Sequence, residues 1–147
     1  MDEKTTFVNV SDGGHIENLG LYELLRRRCR YIVVIDGECD PKIQCGALMQ
    51  AARFAKLDFG VKVKIDMTRF RTNQNGSAKY HFSFGTIRYP NLAASQGDLE
   101  GRILYVKLSR TGNEPAGVEH YRLQNPEFPH QSTVDQFFDE AKTRRRS

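Results

Sequence analysis

The sequence predicts an α/β fold whose first half runs strand, helix, strand, helix, strand. Three observations carry this reading. Tyr31-Ile32-Val33-Val34-Ile35-Asp36 is a near-continuous β-branched run, the pattern of a strand buried on both faces of a parallel sheet. Residues 46–58 set Leu48, Ala51, Ala52 and Ala55 along one side of a helix. Val61, Val63 and Ile65 then alternate with Lys62 and Lys64, which describes a strand with one wet face.

Taken in order, Phe7-Val8-Asn9-Val10 reads as a short strand that breaks at the turn Ser11-Asp12-Gly13-Gly14. Asn18 is the expected N-cap of a helix over 19–29, where Leu21, Leu24, Leu25 and Arg28 follow helical spacing. Gly60 suits the C′ position of the second helix. The strands near Phe7, Ile32 and Val63 are expected to be mutually parallel, joined by two right-handed crossovers. The second half differs. Residues 80–87 and 102–108 read as further strands, and a Pro-rich stretch, Asn125-Pro126-Glu127-Phe128-Pro129, follows. Ser132 or Thr133 then caps a final helix through Phe137 and Phe138.

The 147 residues suit one domain, over 1–141, followed by a basic tail over 142–147. The formal charge of +4 comes from that tail: Lys142, Arg144, Arg145 and Arg146 carry it, and the remaining Lys and Arg equal the 18 Asp and Glu. The basicity is therefore not the field of a nucleic-acid-binding face, and no nucleic acid partner is expected. No apolar run approaches the roughly 20 residues of a spanning helix, and no apolar h-region follows the first residues. A cytoplasmic domain, or a piece of something larger, is expected. Cys29, Cys39 and Cys45 make an odd count without C-x-x-C spacing, which fits a reduced compartment.

Asp12 is the leading carboxylate. It sits in a Gly-rich turn, with Gly13 and Gly14, at a strand end before a helix, where open α/β sheets form their sites. His15 reads as a turn or surface histidine. Asp36 and Asp40, with no clustered histidine, are too sparse a set for a metal. Arg26-Arg27-Arg28 reads as the wet face and end of a helix, and Phe7, Phe54, Phe59 and Phe82 as core.

The string from Asp12 through Gly13-Gly14-His15-Ile16-Glu17-Asn18-Leu19-Gly20-Leu21-Tyr22-Glu23-Leu24-Leu25 to Cys29 resembles the C-terminal part of patatin-like phospholipases, more closely the bacterial branch similar to cytosolic phospholipases. The resemblance continues through Tyr31-Ile32-Val33-Val34-Ile35-Asp36, Gly101-Arg102-Ile103-Leu104-Tyr105-Val106-Lys107, and the block from Phe128-Pro129-His130-Gln131-Ser132-Thr133 to Phe138. It implies a three-layer α/β hydrolase-like domain and a Ser–Asp dyad acting on lipid acyl esters without a cofactor. It maps Asp12 onto the catalytic aspartate. The family's serine, in a Gly-x-Ser-x-Gly elbow, precedes that aspartate, as does a Gly-rich oxyanion loop. Neither stands before Asp12 here; the nearest string, Ala93-Ala94-Ser95-Gln96-Gly97, lacks the first glycine and follows it.

The expectation is thus an incomplete patatin-like sheet, inactive as the isolated chain. Its substrate would be a lipid or acyl ester once an N-terminal part completes it, with membrane contact through that part. A missing half should leave one sheet edge and some apolar surface uncovered. Two alternatives stand beside this: a non-catalytic remnant or interaction domain, and a small binding module with an anion site at the Asn18 helix N-terminus.

Overall fold

The computed structural model describes residues 17–91 and 97–131. The expected strand at Phe7, the turn at Asp12, Gly13 and Gly14, His15, Ser95, the final helix through Phe137 and Phe138, and the basic tail lie outside them.

The first helix, α1 (Leu21–Arg26), is shorter than the expected 19–29. Its entry is made by Gly20 in the left-handed region (φ 65) with no side-chain cap. The Glu17 carboxylate accepts the N–H groups of Leu19 at 2.7 Å and Tyr22 at 3.1 Å. Asn18 is therefore not the cap; its Nδ2 donates to Glu38 Oε1 at 2.8 Å. The helix stops because Arg28 turns left-handed (φ 58). Cys29 N–H then reaches the Leu24 carbonyl at 3.1 Å and Arg28 N–H that of Leu25 at 3.0 Å, a Schellman closure that outweighs the apolar spacing further along.

Strand β1 (Tyr31–Asp36) leads to α2 (Gly46–Phe59), which buries Leu48, Ala51 and Ala55 as its period predicts. Gly60 at φ 68 ends α2, as expected. Strand β2 (Lys62–Ile65) alternates as read, with Lys62 and Lys64 outward. A 3₁₀ turn over Met67–Phe70, capped by the Asp66 side chain, precedes β3 (Phe82–Tyr89) and β4 (Leu99–Lys107).

The sheet order is β1-β4-β3-β2. Among the described strands only β1 and β4 pair in parallel; β4–β3 and β3–β2 are antiparallel. The expected parallel pairing of the strands near Ile32 and Val63 is corrected by this order, while the strand expected at Phe7 lies outside the described residues. β1 and β2 point the same way but stand at opposite edges of the four strands. β3 and β4 run between them, and they carry Ile87, Tyr89, Ile103 and Tyr105, all almost fully buried. Gly85 lets the sheet close there. A methyl group on it would stand 2.8 Å from the Ile103 side chain and closer still to the Lys64 carbonyl.

The core lies on one face of the sheet, where Leu21 and Leu25 of α1 and the buried side of α2 meet Ile32, Val34, Ile103 and Tyr105. Among the described residues, no element covers the opposite face over β1. Tyr31 is 79% exposed, Val33 63% and Ile35 77%. The expectation that this strand is buried on both faces is thus corrected: Ile32, Val34 and Asp36 point inward and the others outward. Register places Ile35, Val106 and Phe82 in one row of the outer face and Val33, Leu104 and Phe84 in the next. Tyr31, Arg102, Thr86 and Lys64 form the third row. Phe82, expected in the core, stands on this outer face beside Tyr80 and Phe84.

A further helix, α3 (Ala116–Gln124), lies in a stretch for which no element was expected. It buries none of its residues, so its apolar spacing is weak. Its readable signals were Pro115 at the entry, Glu119 in the first turn and Arg122 in the last. No helix among the described residues is long and apolar enough to cross a membrane.

Candidate functional site

The carboxyl ends of β1 and β4 gather the buried charge of the described residues. Asp36 ends β1 and Lys107 ends β4, and the parallel register sets them side by side. Both side chains are 1% exposed. Lys107 Nζ lies 2.9 Å from Asp36 Oδ1, donates to the Glu38 carbonyl at 3.1 Å, and stands 3.8 Å from Asp40 Oδ2. The Tyr105 hydroxyl donates to Asp36 Oδ2, and Glu38 N–H donates to Oδ1 at 2.9 Å. Burial first, and then the bond to Asp36, push the Tyr105 hydroxyl far above its ordinary pKa. It stays a proton donor throughout the working range. Burial likewise pushes the Cys45 thiol up, so it is no ready nucleophile.

Asp40 is occupied in turn. Its oxygens accept the N–H groups of Gln44 at 3.0 Å and Cys45 at 2.7 Å, at the entry to α2. Among the described residues no group of three or more His, Cys, Asp and Glu is placed to hold a metal ion.

The Pro-rich segment closes over this end. His130 Nδ1 accepts the Asp40 N–H at 3.3 Å, and Cys39 Sγ donates to the His130 carbonyl at 2.8 Å. An accepting Nδ1 puts the ring proton of neutral His130 on Nε2. Burial, then the nearby Lys107 ammonium, lower the pKa of His130, which keeps the ring neutral.

Of the site residues expected from sequence, Asp12, Gly13 and Gly14 lie outside the described residues, and Asn18 is described. Asn18 is tied through Glu38 to the carboxyl end of β1. Its environment does not suit an anion: the Glu17 carboxylate already occupies the N-terminus of α1. The three arginines divide. Arg26 and Arg27 pair with Glu23, each at 2.7 Å, while Arg28 Nη2 donates to the Pro90 carbonyl at 2.6 Å. Cys29, just past the end of α1, is partly exposed.

Sequence reasoning did not join Ser109 to His81. His81 Nδ1 lies 3.2 Å from Ser109 Oγ, and Nε2 lies 3.3 Å from Thr111 Oγ1. The Ser109 hydroxyl, however, donates to the Lys107 carbonyl at 3.1 Å, and the residue is buried. It lacks the exposed, strained elbow of an activated serine. The two residues are 28 apart in the chain, and no local spacing signals the pairing.

Comparison with protein-family models, with curated proteins and with solved structures finds no match.

Proposed function

We propose that this chain is the C-terminal part of a Ser–Asp acyl-ester hydrolase of the patatin-like type, acting on lipids. Asp12 is its general base, within the Gly13-Gly14 turn. The serine elbow and the oxyanion loop belong to a part not present in the sequence. The observation that carries this reading is the bare outer sheet face. A strand as apolar as Tyr31–Asp36 is normally covered on both sides, yet Tyr31, Val33 and Ile35 are exposed here. A three-layer domain would cover them with helices of its other half. The tie from Asn18 to Glu38 gives secondary support. It anchors the chain at the carboxyl end of β1 six residues after Asp12, a span of at most about 20 Å.

A second reading, a non-catalytic remnant or interaction domain, is favoured by the polar cluster itself. Asp36, Lys107 and Asp40 are all engaged with one another or with backbone groups.

One experiment separates the two. The chain and an upstream-extended form are assayed on a p-nitrophenyl ester. The chain alone is expected to be inert. The extended form is expected to hydrolyse the ester and to lose on the order of 100- to 10,000-fold in Asp12→Ala. A stop codon directly upstream, or an inert extended form, favours the remnant.

A further inference from the structure

We propose that a cavity beyond the carboxyl end of β4 is a binding site for a compact oxyanion, specifically a phosphate group. The inference is independent of the hydrolase reading. The cavity is about 580 Å³ and is lined by Asn75, Ser77, Arg110, Gly112, Glu119 and Arg122.

Its walls are held from outside. Asn73 Oδ1 accepts the N–H groups of Asn75 at 2.9 Å and Ser77 at 3.0 Å, which fixes the turn. The Ala78 N–H donates to the Arg110 carbonyl at 2.6 Å and locks the two loops together. The Glu114 carboxylate accepts the Gly112 N–H at 2.9 Å and that of Thr111.

Within this frame Arg110 is short of partners. A guanidinium has five N–H donors. That of Arg110 makes two long contacts through Nη2, to the Asn75 carbonyl at 3.4 Å and to Ser77 Oγ at 3.5 Å. Its Nε is sealed from solvent and has no hydrogen-bond partner among the described residues. Arg110 is partly exposed, and its guanidinium keeps donors to spare for an acceptor in the cavity.

The nearby carboxylates are already taken. Glu119 lines the cavity but is held by Arg122, whose Nε donates to Oε1 at 2.8 Å. Glu114 serves the backbone of its own loop. Arg110 shares the field of the Glu119 carboxylate with Arg122, so two guanidinium groups face one carboxylate in the lining, with the Ser77 hydroxyl beside them. A phosphate has acceptor oxygens for Arg110, Ser77 and Arg122 in three directions, whereas a planar carboxylate presents two. A phospholipid head group and a soluble phosphoester share this chemistry.

The test titrates the ¹⁵N-labelled chain with inorganic phosphate at constant ionic strength and follows the Arg110 Nε–H resonance. A saturable shift is expected, with binding weakened roughly tenfold or more in Arg110→Lys. A non-saturating shift, or unchanged binding in Arg110→Lys, overturns the site. Should Arg110→Lys fail to fold, Ser77→Ala decides, and unchanged binding there overturns it equally. Sedimentation with phosphatidic acid vesicles in phosphatidylcholine distinguishes the source. Vesicle binding that Arg110→Lys removes assigns a lipid head group. Phosphate binding without Arg110-dependent vesicle binding assigns a soluble phosphoester.

Discussion

The two faces of the sheet are built from the same strands and meet opposite fates. On the inner face, Ile32, Val34, Ile103, Tyr105 and Ile87 are sealed beneath α1 and α2. On the outer face, Val33, Ile35 and Phe84, the last 66% exposed, present comparably apolar side chains to water. Side-chain period alone puts neighbours on opposite faces; it does not decide which face acquires a cover. The difference shows that composition along β1 is not balanced by the helices the described residues supply. An apolar field of this kind is what the layer proposed above would cover.

The comparison breaks most sharply where the inner face ends in charge. Asp36→Ala would leave the Lys107 ammonium buried without its closest counter-ion. A loss of about 3–5 kcal/mol is expected in denaturant unfolding. The double change Asp36→Leu with Lys107→Met is expected to recover most of that loss, because it removes both desolvated charges. A double variant as unstable as the single one would mean that the pair does more than neutralise itself.

Next in size is a cavity on the inner face. Ile103→Ala should cost about 2–5 kcal/mol, since Ile103 is 1% exposed and its neighbours cannot all collapse inward. On the outer face, Val33→Thr, Ile35→Thr and Phe84→Ser should each shift stability by only about 0.5 kcal/mol or less. Together they should abolish binding of a dye such as ANS. Large unfolding penalties from these three would mean that the outer face is packed in solution.

A smaller effect concerns the segment that closes over the inner face's charged end. The pKa of His130 is lowered in the fold, so the unfolded chain binds the proton more readily. Its contribution to stability is complete above the ordinary value of 6.5 and is lost as pH falls below it. The protection of the Asp40 amide, whose N–H is accepted by His130 Nδ1, should fall on acidification, so that its exchange speeds up relative to the intrinsic rate at each pH. An exchange rate that follows only the intrinsic pH dependence would count against this docking.

The smallest effect lies on the solvent side of α1. Hydrogen bonds from Arg26 and then Arg27 hold the Glu23 carboxyl down at about 2. Its contribution is present above the ordinary value of 4.5 and fades as pH falls toward 2. Both partners are exposed, so salt should screen it. A carboxyl ¹³C titration checks the value, and a midpoint near 4.5 would show that the pairs do not persist in solution.

Much of the local structure is determined by the sequence alone. The helix over Gly46–Phe59 follows from the spacing of Leu48, Ala51 and Ala55 and from a glycine able to turn left-handed at its end. The strand over Lys62–Ile65 follows from strict alternation, and the strand at Tyr31 from its β-branched run. These are short-range properties, set by side-chain period and backbone sterics. The short α1 was not legible, because Arg28 takes a left-handed conformation that its residue type does not signal. Nor was α3, which buries nothing and so leaves little apolar imprint. Strand order, the bare outer face and the candidate sites were decided by tertiary structure. Asp36 meets Lys107 across 71 residues, and Arg110 meets Ser77 across 33. Such pairings depend on which strands occupy the centre of the sheet, where β3 and β4 bring Ile87, Ile103 and Tyr105 together out of water, and local sequence cannot specify contacts between residues so far apart in the chain.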